Sequence, residues 1–171
     1  MAAHKVHPFA ELVPMERVYL HPGQLAASAG PCCVTTILGS CVATCLWDDV
    51  AGVGGINHFL LPHDAGRGLP SLRFGTPALA RLLESVVELG ARVERLRAKL
   101  FGGASVLAAL RRDTPSLGAQ NVELARRFLW EEGIPLVGSD VGGDFGRKLL
   151  FHTHDGAASV HRLAGGTHAG A

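Results

Sequence analysis

The chain of 171 residues lacks any long uninterrupted run of apolar residues. A membrane-spanning helix needs about 18 of them, and no stretch of that length occurs. The first twenty residues also lack the apolar centre that is typical of a signal peptide. We therefore expect a cytoplasmic protein with no membrane insertion.

The sequence has little net charge of either sign. Its 16 Lys and Arg residues are interleaved with 15 Asp and Glu residues, which gives a formal net charge of +1. Proteins that bind nucleic acid concentrate basic residues on one face. We therefore expect no nucleic-acid partner.

Cysteine is scarce, and its spacing does not match a metal site. The chain has four cysteines, of which Cys32 and Cys33 are adjacent while Cys41 and Cys45 are four positions apart. Zinc sites commonly use paired C-x2-C motifs instead. In a reducing compartment we expect free thiols, no metal and no cofactor, with Cys45 in the core and Cys41 available for chemistry.

Apolar residues make up 47% of the chain, and their spacing switches between strand and helix periods. Residues 33–38, 42–48 and 53–61 have the composition of strands. The spacing predicts one helix over Pro77–Leu89, capped by Thr76, and a second over about 122–132, capped by Asn121. These elements predict a layered α/β sandwich with a mixed β-sheet and at least two helices.

The same patterns predict one folded domain. It should extend over residues 17–163, because strand and helix signals occupy that range. Residues 1–16 and 164–171 are aperiodic, and we expect them to form a flexible N-terminal arm and a flexible C-terminal tail.

Cys41 lies in the stretch TTILGSCVATC at 35–45, and its surroundings suit a nucleophile. Gly39 and Ser40 before it allow a tight turn with convergent backbone amides, the usual construction of an oxyanion site. His58 ends a neighbouring strand, where an imidazole could activate a thiol. A lone cysteine among aliphatic residues is more often part of the core, so these residues alone leave both interpretations open.

Residues 35–62, together with KLFGGA at 99–104 and the segment from NVEL to FHT at 121–153, resemble the CheD family, the chemoreceptor glutamine deamidases of bacterial chemotaxis. The resemblance extends from about Val18 to Leu163. It implies a fold similar to the catalytic domain of the deamidating cytotoxic necrotizing factors. It also implies Cys41 as the nucleophile, His58 as its acid-base partner and Thr35 as the third residue, with Thr36 as the adjacent alternative.

The resemblance further implies a reaction and partners. Glutamines of methyl-accepting chemotaxis receptors would be converted to glutamate through a thioester, and glutamyl methyl esters could react in the same way. It implies a CheC-type phosphatase as a second partner. We expect pairing with an imidazolium to lower the pKa of the Cys41 thiol by about 2 units, which would make the thiolate the main form at pH 7.

Two further expectations concern residues outside this pair, and one concerns the function. Arg147 and Lys148, in VGGDFGRK, are expected to face acidic receptor surface. His152 and His154 allow an alternative function, a metal-dependent hydrolase. A second alternative is an adaptor that binds receptors or phosphatase without catalysis.

Overall fold

The computed structural model describes residues 14–64, 66, 68, 71–105 and 114–164. Most of the expected N-terminal arm and nearly all of the expected C-terminal tail lie outside the described residues. None of the described helices is long and apolar enough to span a membrane.

The described residues form nine strands and two α-helices, with a short 3-10 turn at Val93–Arg95. The strands are β1 (Glu16–Tyr19), β2 (Leu25–Ala29), β3 (Cys32–Leu38), β4 (Val42–Asp48), β5 (Val53–Asn57), β6 (Arg97–Gly102), β7 (Leu136–Val141), β8 (Arg147–His152) and β9 (Ala158–Arg162), and the helices are α1 (Gly75–Glu88) and α2 (Leu117–Glu131).

The strands are divided between two sheets. Sheet A has the order β1-β3-β8-β9, and sheet B has the order β2-β5-β4-β6-β7. The β1–β3 and β6–β7 pairs are parallel, and the other pairs are antiparallel. The expected mixed α/β architecture with two helices is therefore confirmed, with the mixed pairing distributed over two sheets.

Strand β4 shows how the layers are stacked, because every one of its residues is buried. Ala43, Cys45 and Trp47 pack in one cluster with residues of sheet A. Val42 and Leu46 pack in clusters that include helix residues. Since successive side chains of a strand point to opposite faces, sheet B is the middle layer, between sheet A and the two helices. A strand covered on both faces needs mostly apolar residues, and β4 has five of them among its seven, with Thr44 and Asp48 as the polar exceptions.

Both helices begin before their predicted starts. Helix α1 is preceded by Phe74 as the N-cap and not by Thr76. Helix α2 is capped by Ser116, whose side chain accepts a hydrogen bond from the Ala119 N–H, so Asn121 lies inside the helix. The prediction of Asn121 as a cap was wrong because the helix already begins at Leu117, and the Asn121 Nδ2 donates to the carbonyls of Ser40 and Leu60, in the segments that flank β4 and β5.

Candidate active site

Cys41 ends a short turn, residues 39–41, between β3 and β4. The Gly103 N–H donates to the Cys41 carbonyl at 2.8 Å, and the Ala104 N–H donates to the Gly39 carbonyl at 2.9 Å. Gly102 has a φ of +101°, and the Cys41 carbonyl occupies the space that a Cβ would need there. The KLFGGA motif therefore forms one wall of the Cys41 turn.

The four cysteines differ in exposure. Cys41 is partly exposed, whereas Cys32, Cys33 and Cys45 are buried. Cys45 lies in the core between the sheets, as expected. Since an incoming amide must reach the sulfur, Cys41 is the thiol of this chain placed to react with another molecule.

His58 lies on the same face of sheet B as Cys41. Val42 and Phe59 exchange two backbone hydrogen bonds, at 3.1 and 3.0 Å, in register with the Cys45–Ile56 pair. By alternation Cys41 and His58 both point toward sheet A and are diagonal neighbours across two strands, a relation that typically separates Cα atoms by about 7–8 Å. His58 Nε2 is buried and has no hydrogen-bond partner among the described residues, so no hydrogen bond joins it to the Cys41 thiol.

Thr36 fixes the proton on the His58 ring. Its hydroxyl oxygen lies 2.8 Å from His58 Nδ1 and 2.8 Å from the Leu20 carbonyl oxygen. A carbonyl can only accept, so the single hydroxyl proton goes to Leu20 and the oxygen accepts from Nδ1–H. Neutral His58 therefore carries its proton on Nδ1, and the lone pair of Nε2 is available as a base.

The threonine whose hydroxyl lies beside His58 is Thr36, the adjacent alternative, and not Thr35. In β3, Val34, Thr36 and Leu38 are buried on the face toward sheet B. Thr35 points to the opposite, outer face of sheet A, where it is aligned with Leu150 of β8. A shift of one residue along a strand moves a side chain to the other face, so adjacent threonines cannot share this role.

Burial favours the neutral forms of both groups. It raises the pKa of the Cys41 thiol above its usual value, although the Cys41 N–H, which lies against the sulfur, acts in the opposite direction. Burial, together with the nearby charge of His21, lowers the pKa of His58 to about 4. The expected thiolate–imidazolium pair at pH 7 is therefore wrong for this structure, and a neutral thiol beside a neutral base replaces it.

Asn121 is a site residue that the sequence analysis missed. Its side chain is fully buried, and its Nδ2 donates to the Ser40 carbonyl at 3.1 Å and to the Leu60 carbonyl at 2.9 Å. Its position four residues before Ala125, on the buried stripe of α2, was the available signal. Buried polar side chains have specific partners.

The glycine-rich loop after β7 adds to the same wall. The Gly142 N–H donates to the Gly102 carbonyl at 2.9 Å, and the Ser105 N–H donates to the Gly143 carbonyl at 2.8 Å.

The prediction that Arg147 faces a partner was wrong. Its side chain is 1% exposed, and its NH2 group donates to the Asp140 carboxylate at 2.9 Å. Because Asp140 belongs to sheet B, this ion pair joins the two sheets.

The histidines of the FHTH motif do not form a multidentate site. The rings of His152 and His154 are 6.2 Å apart, and His154 follows the end of β8. Within the described parts of the chain, no group of three or more His, Cys, Asp or Glu side chains could hold a metal ion. The metal-dependent hydrolase therefore has no structural support there.

The chain is similar to known proteins over most of its length. A family model described as CheD chemotactic sensory transduction matches residues 60–162. The chain is 56% identical over 147 residues to the probable chemoreceptor glutamine deamidase CheD 1 of Anaeromyxobacter dehalogenans, covering 86% of this chain and 85% of that protein. It is 45% identical over 149 residues to the probable chemoreceptor glutamine deamidase CheD of Trichlorobacter lovleyi, covering 87% and 92%.

Two solved structures show a weak likeness. A hypothetical protein YfiH of Bacillus licheniformis is matched with a TM-score of 0.43 and 14% identity over 68% of this chain and 49% of that chain. Neisseria meningitidis protein NMB0706, of the family DUF152, is matched with a TM-score of 0.44 and 12% identity over 76% and 63%. Neither is a cytotoxic necrotizing factor, so the expected likeness to that domain stays a prediction.

Proposed function

The chain belongs to the CheD family, and on this premise we propose that it deamidates glutamine side chains of methyl-accepting chemotaxis receptors through a thioester on Cys41. The relatives described above are named as probable chemoreceptor glutamine deamidases. The observation that carries the chemistry is the bond from His58 Nδ1 to Thr36, which leaves Nε2 free on the face that also bears the partly exposed Cys41.

The first half of the reaction forms the thioester. His58 Nε2 takes the proton of the Cys41 thiol as the sulfur attacks the amide carbon of the glutamine, and the carbonyl oxygen becomes an oxyanion. When the tetrahedral intermediate collapses, the C–N bond breaks. Protonated His58 gives its proton to the nitrogen, which leaves as ammonia.

The second half regenerates the thiol. Neutral His58 takes a proton from a water molecule while the water oxygen attacks the thioester carbon. The C–S bond then breaks, the proton returns to the sulfur, and the side chain leaves as glutamate. A glutamyl methyl ester would follow the same course with methanol as the leaving group, so we propose it as an alternative substrate.

The neutral resting state agrees with this sequence of steps. A low pKa of His58 keeps Nε2 unprotonated at pH 7. General-base removal of the thiol proton during attack needs no thiolate in the free enzyme. Thr36 holds the ring with Nε2 as the basic atom throughout, because Nδ1–H remains bonded to its hydroxyl.

The turn before Cys41 supplies the oxyanion site in this proposal. Gly39 and Ser40 place their carbonyls on Ala104 and Asn121, which directs the chain into Cys41. We propose the Cys41 N–H as the oxyanion donor, with Gly39 and Ser40 shaping the turn that presents it.

We also propose three features that the family resemblance implies. The enzyme works in the cytoplasm, on the helical signalling region of its receptors. A CheC-type phosphatase is a second partner. The arrangement of Cys41 and His58 on a layered α/β sandwich is similar to that of the deamidating cytotoxic necrotizing factors.

The test is incubation of the protein with receptor signalling regions, followed by site-resolved mass spectrometry. Conversion of a glutamine to glutamate adds about 1 Da, and we expect it with the wild type and not with Cys41→Ala or His58→Ala. Cys45→Ala is the matched control, because Cys45 is also a free thiol but is buried in the core between the sheets, four positions after Cys41. Tight receptor binding without any mass change would replace this proposal with the adaptor.

A further inference from the structure

Asn121 belongs to helix α2, yet both of its donor contacts reach the backbone of the candidate active site. An asparagine amide has two N–H donors. One is used on the carbonyl of Ser40, directly before Cys41, and the other on the carbonyl of Leu60, two residues after His58. A single buried side chain therefore holds the segments that carry the nucleophile and the base.

The amide lies where the ladder between these segments ends. Val42 and Phe59 form the last paired position, with both backbone hydrogen bonds made. Beyond this position the Leu60 carbonyl, one residue after Phe59, and the Ser40 carbonyl, two residues before Val42, both accept from Asn121. The side chain therefore bridges the two segments where their own backbone hydrogen bonds stop.

The contact with Ser40 also orients the next backbone amide. The C=O and N–H of a trans peptide point in opposite directions, and no cis peptide occurs among the described residues. Asn121 holds the Ser40 carbonyl toward the helix layer, so the Cys41 N–H points the other way, to the side of the Cys41 sulfur. Burial raises the pKa of that thiol, and the contact with its own N–H partly offsets this.

We propose that Asn121 is a positioning residue that aims the Cys41 N–H at the oxyanion of the tetrahedral intermediate. The inference rests on the proposed deamidation. As the C–S bond forms, the electron pair of the substrate C=O moves to oxygen, and the Cys41 N–H donates to that oxygen. Asn121 itself touches neither the substrate nor the sulfur and acts through the Ser40–Cys41 peptide.

The test compares Asn121→Ala, which removes both donors, with Asn121→Ser, which keeps one in a shorter side chain. Thr153→Val is the matched control. The Thr153 side chain is as fully buried as that of Asn121. Its hydroxyl accepts from the Cys32 N–H at 3.1 Å and donates to the Gly30 carbonyl at 2.8 Å. These bonds lie at the opposite end of β3 from the Cys41 turn. For each variant the kcat and KM of receptor deamidation, thermal unfolding and the pH dependence of Cys41 alkylation by iodoacetamide are measured.

We expect kcat per folded molecule to fall about tenfold to hundredfold in Asn121→Ala, with KM unchanged, since loss of an oxyanion donor acts on the transition state. The midpoint of Cys41 alkylation should move to higher pH, because its N–H no longer faces the sulfur. Thr153→Val should lower only the unfolding temperature. An unchanged kcat and an unchanged alkylation midpoint in folded Asn121→Ala, or in Asn121→Ser if the alanine variant does not fold, overturn the inference.

The two proposals fail in different ways. A wild-type protein without Cys41-dependent deamidation contradicts the proposed function. The alkylation profile of Cys41 needs no substrate, so in that case it still decides whether Asn121 orients the Cys41 amide.

Discussion

Substitution of Thr36 by valine tests the tautomer of His58 most directly. Valine has nearly the shape of threonine but no hydroxyl, so His58 Nδ1–H and the Leu20 carbonyl each lose a partner at 2.8 Å. Leaving a buried polar group unpaired costs about 1–3 kcal/mol, so with two such groups we expect the free energy of unfolding to fall by roughly 2–6 kcal/mol.

The effect on catalysis follows from the same bond. If the hydrogen bond to Thr36 stabilises the Nδ1–H tautomer by about 1.4 kcal/mol, its loss lowers the population of the reactive tautomer about tenfold. We therefore expect kcat for receptor deamidation to fall at least about tenfold in folded Thr36→Val, and we expect Thr36→Ser, which keeps the hydroxyl, to retain most of it.

Thr35→Val is the matched control, because Thr35 is the adjacent residue on the outer face of sheet A. It should leave kcat unchanged. The assay is mass-spectrometric deamidation with protein concentrations corrected for the folded fraction. Equal kcat values for the wild type and Thr36→Val would refute the reasoning, and a loss in Thr35→Val instead would return the role to position 35.

Two further predictions concern stability. The pKa of His58 is about 4 in the folded protein and near 6.5 in the unfolded chain, so between these pH values only the unfolded chain binds the extra proton. The stability that this group contributes is complete above pH 6.5 and is lost as the pH falls toward 4, by about 1.4 kcal/mol for each pH unit. Over this range the free energy of unfolding, measured with urea, should therefore fall more for the wild type than for His58→Gln. Parallel pH profiles of the two proteins would contradict the low pKa. Buried Asp48, which accepts from the Arg92 N–H at 3.0 Å and from Arg95 Nε at 2.9 Å, lies at the end of β4 away from Cys41. Asp48→Ala should lower the free energy of unfolding by about 2–4 kcal/mol with no change in kcat per folded molecule, and a selective loss of kcat would show that this end of the strand acts on the site.

The sequence pattern predicted the type of element well where one periodicity of apolar residues extended along the whole element. The apolar run of β4 and the helical spacing of α1 and α2 gave elements of the right type, with starts displaced by a few residues. The helix starts were displaced because each helix begins before the residue that is a good cap by type: α1 begins after Phe74, which makes no side-chain cap hydrogen bond, and α2 begins after Ser116. Asn121 is a good cap by residue type, but it lies inside α2, where its Nδ2 donates to two distant carbonyls.

The candidate pair of Cys41 and His58 could be named from the sequence for a similar reason. Both lie in one strand–turn–strand stretch, and alternation along paired strands is a local property. Adjacent threonines were harder to distinguish, because the choice between Thr35 and Thr36 depends on which face of β3 meets sheet B.

The sequence by itself determined the mixed α/β composition, the family and the candidate pair of Cys41 and His58, because these follow from residue types, their spacing and motif order. Only the tertiary structure decided that Thr36 bonds His58, that Asn121 bonds the segments beside Cys41 and His58, that Arg147 is buried against Asp140, and that burial favours the neutral thiol and imidazole. Each of these depends on a contact between different layers of the fold or on the removal of water, and desolvation is a property of the packed layers that no local stretch of sequence contains.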